Sequence, residues 1–321
     1  MIKATIIADS VSAHTNQRIT TFELEYPRFI HSELMTHRQF SRNASSSRAI
    51  PIDKMIEQVA FNPAIPIYWG LNQSGMQAKD EQADVDACKE AWCNARDSAI
   101  YHAYQLKNLG LHKQIVNRVL EPFQMMKTLV TATNFDNFFN LRCHKDAQPE
   151  IKQLADLMYQ AMQKSEPEVL QAGEWHTPYV LHERSDTVDG NELFYFIYKE
   201  SDKPYLGKIY LSETQAIKIS CSCSAQVSYR KNDTSVEKAL AIYDKLVNSE
   251  PVHASAFEHC ATPIDVEKEF NSGLSNEISD GITGITFGNE NQGNAMDSGN
   301  FTNWIQYRQL IKNHDCKEYK R

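Results

Sequence analysis

Along residues 19–26 the apolar positions Phe22, Leu24 and Tyr26 alternate with Thr21, Glu23 and Glu25, the period of a half-buried strand that Pro27 ends. From about Asp84 to Leu109 the period changes. Cys88, Trp92, Ala95, Ala99, Ala103 and Leu106 recur every three or four residues, which predicts an amphipathic helix with one packed face, stopped by Gly110. Between these elements, Pro51, Pro63, Pro66 and Gly70 predict an extended loop. A second helical region runs over 135–163 with an interruption near Ala147-Gln148-Pro149. Residues 177–210 predict strands, with Asp189-Gly190 turning between Tyr179-Val180-Leu181 and the run from Phe194 to Tyr198. Capping boxes at Ser212 with Gln215 and at Thr234 with Glu237 announce two more helices, and the Gly- and Asn-rich stretch 272–300 predicts an irregular loop. No solenoid-type repeat interrupts this mixture of strands and helices.

Composition narrows the class. At 321 residues, with 41% apolar and 10% aromatic side chains, there is material for a substantial core. No apolar run approaches the roughly 20 residues of a membrane span, and the apolar stretch before Asp9 is too short for a secretory signal. The expectation is a cytoplasmic enzyme-sized protein with no membrane partner. The seven cysteines are dispersed without CxxC or His-x-x-x-His spacings, so neither a disulfide framework nor a metal site is expected, and Cys221 and Cys223 read as small buried residues. A net charge of −8 argues against nonspecific nucleic-acid binding, yet leaves room for a nucleotide substrate, whose phosphate needs only a few local arginines.

Those arginines are concentrated. Between Met35 and Ile50 lie His37, Arg38, Ser41, Arg42, Asn43, Ser45, Ser46, Ser47 and Arg48, with hardly an apolar residue among them. Guanidinium groups pair with phosphate or polarise a pyrimidine carbonyl, and serine hydroxyls with backbone amides complete an anion cradle. A solvated polar loop has a similar composition.

The segment resembles the signature of the flavin-dependent thymidylate synthases: Arg-His-Arg, seven residues, then Ser, with an Asn five after the second Arg and another Arg two after the Ser. The matching positions here are Thr36-His37-Arg38, Asn43, Ser46 and Arg48. Residues 110–122, ending Arg118-Val-Leu-Glu-Pro122, and residues 137–151, with Asn137-Phe138 leading to Arg142 and then Ala147-Gln148-Pro149-Glu150-Ile151, are similar to two further family segments. Two pieces that ordinarily precede the arginine signature come last in this chain: Gln226-Val227-Ser228-Tyr229 and His253-Ala254-Ser255-Ala256-Phe257-Glu258-His259. The resemblance therefore implies a circularly permuted member, with an α+β fold of antiparallel sheet packed with long helices. On that reading residues 1–163 carry the nucleotide and flavin motif, 164–211 form connecting strands or a linker insertion, and 212–321 complete the same core. Joining old termini and opening new ones at the surface leaves a core intact.

What the resemblance implies chemically is methylation of dUMP to dTMP, with methylenetetrahydrofolate as carbon donor, reduced FAD as hydride donor and NADPH as reductant of the flavin. Ser46, Ser47, Arg48, Arg118 and Arg142 are assigned to the nucleotide, with Ser46 and Arg142 as catalytic candidates. His37, Arg38, Asn43, Asn134, Ser228, His253 and Ser255 are assigned to FAD. A homotetramer is implied in the same way. Thr36, Ala44 and Ala49 stand where the family has Arg, Glu and an aromatic residue, and Asp146 stands where it has a histidine. These departures leave two other readings open: a dUMP hydroxymethylase on the same fold, and a noncatalytic nucleotide- or flavin-binding protein. The tail from Phe301 to Arg308 resembles the aromatic lead-in to the signature, so Arg308 is a candidate for the role lost at Thr36.

Overall fold

The alternating segment does form a strand, β2 (Arg18–Pro27), with Phe22, Leu24 and Tyr26 fully buried. In the computed structural model, which describes residues 1–75, 82–187, 190–198, 207–227, 235–265 and 300–316, it lies at the centre of a five-stranded sheet. β1 (Lys3–Ser12) pairs antiparallel with it, from Lys3 opposite Glu25 to Val11 opposite Arg18, through an irregularity between Ile6 and Ala8. On its other side runs β4 (Met125–Ala132), from Thr20 opposite Ala132 to Pro27 opposite Met125. The short edge strand β3 (Ser41–Ala44) follows β4, and β5 (Glu168–Leu170) lies parallel to β1 at the far edge, so the order is β3-β4-β2-β1-β5.

The two faces of this sheet differ in chemistry. Phe22, Leu24, Tyr26, Met126 and Val130 share a cluster with Phe135 and Phe138, and with Ile151, Leu154 and Met158. These contacts come from α5 (Asp136–Arg142), the residue before it, and α6 (Pro149–Lys164). The predicted helix break is real: Pro149 opens α6 at a position where its missing N–H costs nothing. Opposite lie Thr21, Thr131, Glu23 and Lys127. Thr21, expected on the polar side of a half-buried strand, is 0% exposed. That face is covered by the C-terminal half, which meets it with two histidines: His176 Nε2 shares a hydrogen bond with Thr21 Oγ1 (2.8 Å) and His259 Nδ1 one with Thr131 Oγ1 (2.8 Å), the two threonines being joined at 2.7 Å.

Residues 51–70 contain a helix where an extended loop was expected. α2 (Ile52–Phe61) starts directly after Pro51, carries Asp53 in its first turn, and buries Met55, Ile56 and Val59. The prolines lie outside the helix, before and after it, so they bound it rather than forbid it. α2 packs with α3 (Val85–Asn108) and α4 (Lys113–Val119). α3 begins at Asp84, whose side chain accepts from Ala87 N at 3.1 Å, and Gly110 follows its end with φ +78°. Its predicted stripe packs only at Trp92, Ala99, Ala103 and Leu106, and Ala95 is exposed.

In the C-terminal half a separate sheet contains β6 (Leu181–Thr187), β7 (Gly190–Tyr198) and β8 (Lys208–Leu211) in that order. β6 starts at Leu181 rather than Tyr179 because Tyr179 has φ +70°, outside strand geometry. Asp189 lies outside the described residues. α7 (Glu213–Gln226) carries the predicted capping box: Gln215 N donates to Ser212 Oγ at 3.3 Å and Ser212 N to Gln215 Oε1 at 3.0 Å. Ser212→Ala is expected to lower unfolding free energy by about 1 kcal/mol, read from denaturant titration. α8 (Val236–Val247) has Ser235 as its N-cap without a side-chain capping bond, and Thr234 of the second predicted box lies outside the described residues. Cys221 and Cys223 are buried in α7. β9 (Ala261–Pro263) and β10 (Trp304–Gln306) form a two-stranded ladder against which Trp304 is wholly buried. The irregular stretch predicted at 272–300 falls outside the described residues but for Asn300. Among the described residues no helix is long and apolar enough to cross a membrane.

Candidate active site at the arginine and serine segment

The signature runs from a helix end into the sheet edge. α1 (His31–Met35) is short, and its last turn is prolonged by Thr36 N donating to Glu33 O (3.2 Å) and His37 N to Leu34 O (3.2 Å). Leu34 and Phe40 anchor this turn in the core, so Met35, Thr36, Arg38 and Gln39 are presented outward while His37 is buried between them. His37 stacks on Phe40 at 5.8 Å and meets Phe138 edge-on at 4.9 Å. Arg42 Nη1 donates to Met35 O (2.9 Å) and His37 O (3.2 Å), closing the turn from below. β3 then pairs with β4, and Ser45 N continues the ladder to Lys127 O at 2.7 Å. At Ser46 the chain turns: Arg48 N donates to Ser46 Oγ at 3.3 Å, while Asn117 Nδ2 holds Ser47 O and Ile50 O at 2.7 and 2.9 Å.

Arg142, at the end of α5, reaches back to this turn. Its Nε donates to His37 Nε2 at 3.0 Å, Nη1 to Glu33 Oε2 at 3.0 Å, and Nη2 to Thr36 Oγ1 at 3.4 Å. For His37 to accept that bond, Nε2 must carry a lone pair, so the proton sits on Nδ1. Burial, with Arg142 and Arg42 adding repulsion, lowers the His37 pKa to about 4, which keeps the ring neutral near pH 7. Beside Arg142 opens a cleft of about 420 Å³, lined also by Asn140, Leu141, His144, Asp146 and Ala147. Asp146 there lies 3.5 Å from His144 Nδ1.

A second cationic group forms around Glu121. Its Oε1 takes Arg118 Nη1 at 2.7 Å, Arg28 Nη2 at 2.9 Å and Ser47 Oγ at 3.2 Å. Two guanidinium groups on one carboxylate leave a net positive charge, which suits an anionic group. Arg38 and Arg48 are exposed, and among the described residues neither has a carboxylate partner.

The remaining sequence candidates are dispersed. Asn43 is buried and its Nδ2 donates to Ser224 O in α7 at 3.2 Å. Asn134 is exposed, with its Oδ1 accepting from Asp136 N at 2.8 Å in a local turn that opens α5. His253 and Ser255 are exposed on and beside the 3-10 turn Ala254–His259, which packs on β3. Ser228 lies outside the described residues. Arg308 pairs with Glu258 and donates to His314 O at 3.2 Å, rather than joining Thr36. The same tail reaches β3: Gln306 Nε2 donates to Ser41 Oγ (3.0 Å) and Glu258 O (2.9 Å).

Sequence reading missed the carboxylates Glu33 and Glu121. Both were within reach of it, since Glu33 precedes His37 by one helical turn and Glu121 follows Arg118 by three residues. Exposed guanidinium groups at Arg38 and Arg48, without a carboxylate partner among the described residues, and the exposed His253 and Ser255 by the turn packed on β3 are donors of a kind that suits an anionic dinucleotide such as FAD.

The sequence model of the family described as Thymidylate synthase complementing protein matches residues 5–168, just over half of the chain. Two solved structures of a UMP/dUMP methylase PolB from Streptomyces cacaoi are similar over part of it. The one bound with 5-Br dUMP is 18% identical with a TM-score of 0.42, covering 51% of this chain and 90% of that one. The one bound with 5-Br UMP is 19% identical with a TM-score of 0.41, covering 51% and 89%. No curated protein sequence matches the chain. The family match spans the arginine and serine segment together with Arg118 and Arg142, and the chain belongs to the thymidylate synthase complementing protein family.

Proposed function

We propose that this protein methylates dUMP to dTMP, with methylenetetrahydrofolate as carbon donor and NADPH-reduced FAD as hydride donor. The observation that carries the proposal is the Arg142 guanidinium, braced by Glu33, Thr36 and neutral His37 at the wall of the cleft, inside the segment that the family match covers. The flavin and folate supply hydride and carbon, so no cysteine nucleophile is required. The protein's part is placement. Arg142 polarises the uracil carbonyl, where negative charge develops as the pyrimidine is activated. Arg118, Arg48, Ser46 and Ser47 hold the phosphate, and Glu121 keeps the Arg118 and Arg28 side chains extended toward it. His37, Arg38, Asn43, Asn134, Ser228, His253 and Ser255 serve the flavin.

The circular permutation belongs to the same proposal. Contacts from Asn43 to Ser224, Thr131 to His259 and Ser41 to Gln306 support a single core in which residues 212–321 supply flavin partners to residues 1–163, with 164–211 between them. We also propose a cytoplasmic homotetramer, which light scattering tests.

The purified protein is expected to be yellow, to bleach with NADPH, and to recover its absorbance on addition of dUMP and methylenetetrahydrofolate. Product mass separates the two enzymatic readings, because a hydroxymethyl product carries one oxygen more than dTMP. Ligand binding without turnover would leave only the noncatalytic reading.

A further inference from the structure

We infer that Glu33 and Thr36 are positioning residues for the Arg142 guanidinium, and that threonine stands at 36 because an arginine there would displace it. The inference rests on the proposed contact between Arg142 and the pyrimidine. Glu33, Thr36 and His37 are spaced i, i+3 and i+4, so one turn of α1 and its extension presents all three side chains to the same side. Each takes one nitrogen of Arg142: His37 takes Nε, Glu33 takes Nη1 and Thr36 takes Nη2. Three of the five guanidinium N–H groups are thereby committed to the protein, and the remaining two, one on each terminal nitrogen, are left for a ligand in the cleft.

Thr36 completes this arrangement through the direction of its own proton. Its hydroxyl donates to Glu33 O at 2.7 Å, which leaves an oxygen lone pair to accept from Arg142. A guanidinium at 36 has five donors and no acceptor. It would set a second positive charge beside Arg142 and compete for the single Glu33 carboxylate. The departure of Thr36 from the family signature is thus matched to where Arg142 sits in this chain, and restoring the signature works against it.

The test measures steady-state kinetics with dUMP, dUMP binding by calorimetry, and flavin content for the native protein, T36R, T36V, T36S and E33Q. T36R is expected to lower kcat/KM roughly a hundredfold, as a misplaced catalytic group does. T36V, which removes the acceptor, and E33Q, which keeps a carbonyl oxygen but removes the carboxylate charge, are expected to lower it about tenfold. T36S keeps the acceptor and is expected to restore the native value. Flavin content stays native in all of them. If the native protein turns over dUMP and T36R equals or exceeds it, or both T36V and E33Q stay within twofold, the inference fails and the proposed function stands. If the native protein binds dUMP without turnover, the dissociation constant carries the same test: tenfold weakening in T36V and E33Q supports positioning, and unchanged binding overturns it. A native protein that neither binds nor converts dUMP overturns the proposed function and this inference with it.

Discussion

Replacing Arg142 by alanine is expected to lower kcat/KM for dUMP by roughly two to three orders of magnitude, the usual cost of losing a donor aimed at developing negative charge. The loss should fall mainly on kcat, because the charge on the carbonyl grows toward the transition state rather than in the bound substrate. Arg142→Lys should recover little of it. A lysine ammonium lacks the planar fork that bonds His37, Glu33 and Thr36 at once, so it would keep the charge and lose the orientation. The fold should tolerate both changes, since Arg142 lies at the end of α5 and lines an open cleft, where water can reach Glu33. Kinetics paired with a thermal melt checks this. An alanine variant within fivefold of native kcat/KM, at unchanged melting temperature, would remove Arg142 from the chemistry.

The candidate site was legible in sequence as cations and spacing, and illegible as counter-charges. The interval from His37 to Arg48 marked the segment, and Arg142 does meet it in space across 105 residues. Glu33 and Glu121 went unread because a resemblance built on arginines says nothing about the carboxylates that hold them. Those partners are set by side-chain reach within one turn, which different members can solve differently. The fold shows a similar division. Strand β2, the long helix α3 and the cap of α7 followed from period and capping chemistry. Helix α2 did not, because prolines at its borders carried the same signal as prolines in a loop. Nor did the cover over Thr21 and Thr131. A polar residue on the outer side of an alternating strand reads as solvated, and only tertiary structure shows that two histidines, rather than water, satisfy it.

Those two histidines make acid the condition under which the protein should fail. Ser10, His176, Thr21, Thr131 and His259 form a continuous buried chain of hydrogen bonds from β1 across the sheet to the C-terminal half. Hydroxyls are the only partners the chain offers either ring, with no carboxylate among the described residues paired to offset an imidazolium charge, and His259 Nε2 ends the chain without a partner among the described residues. Desolvation lowers both pKa values to about 3. In the unfolded chain a histidine titrates near 6.5. Between those limits the unfolded state binds more protons than the folded one, so stability is complete above about pH 6.5 and is lost as pH falls toward 3. At pH 5 the loss is about 2 kcal/mol for each histidine, about 4 kcal/mol together, a large part of the 5–15 kcal/mol typical of a folded domain. His37 titrates in the same direction. Urea titrations at pH 7, 6 and 5 should show unfolding free energy falling with a slope that approaches three protons per molecule near pH 5, two from the buried pair and one from His37. The His176→Asn, His259→Asn double variant, although less stable at pH 7, should lose most of that slope. A native profile that is flat from pH 7 to 5 would mean that the histidines are hydrated or already charged in the folded protein. Because the chain of bonds ends at the turn that packs on β3, activity should decline with unfolding over the same pH range rather than through a separate titration in the cleft.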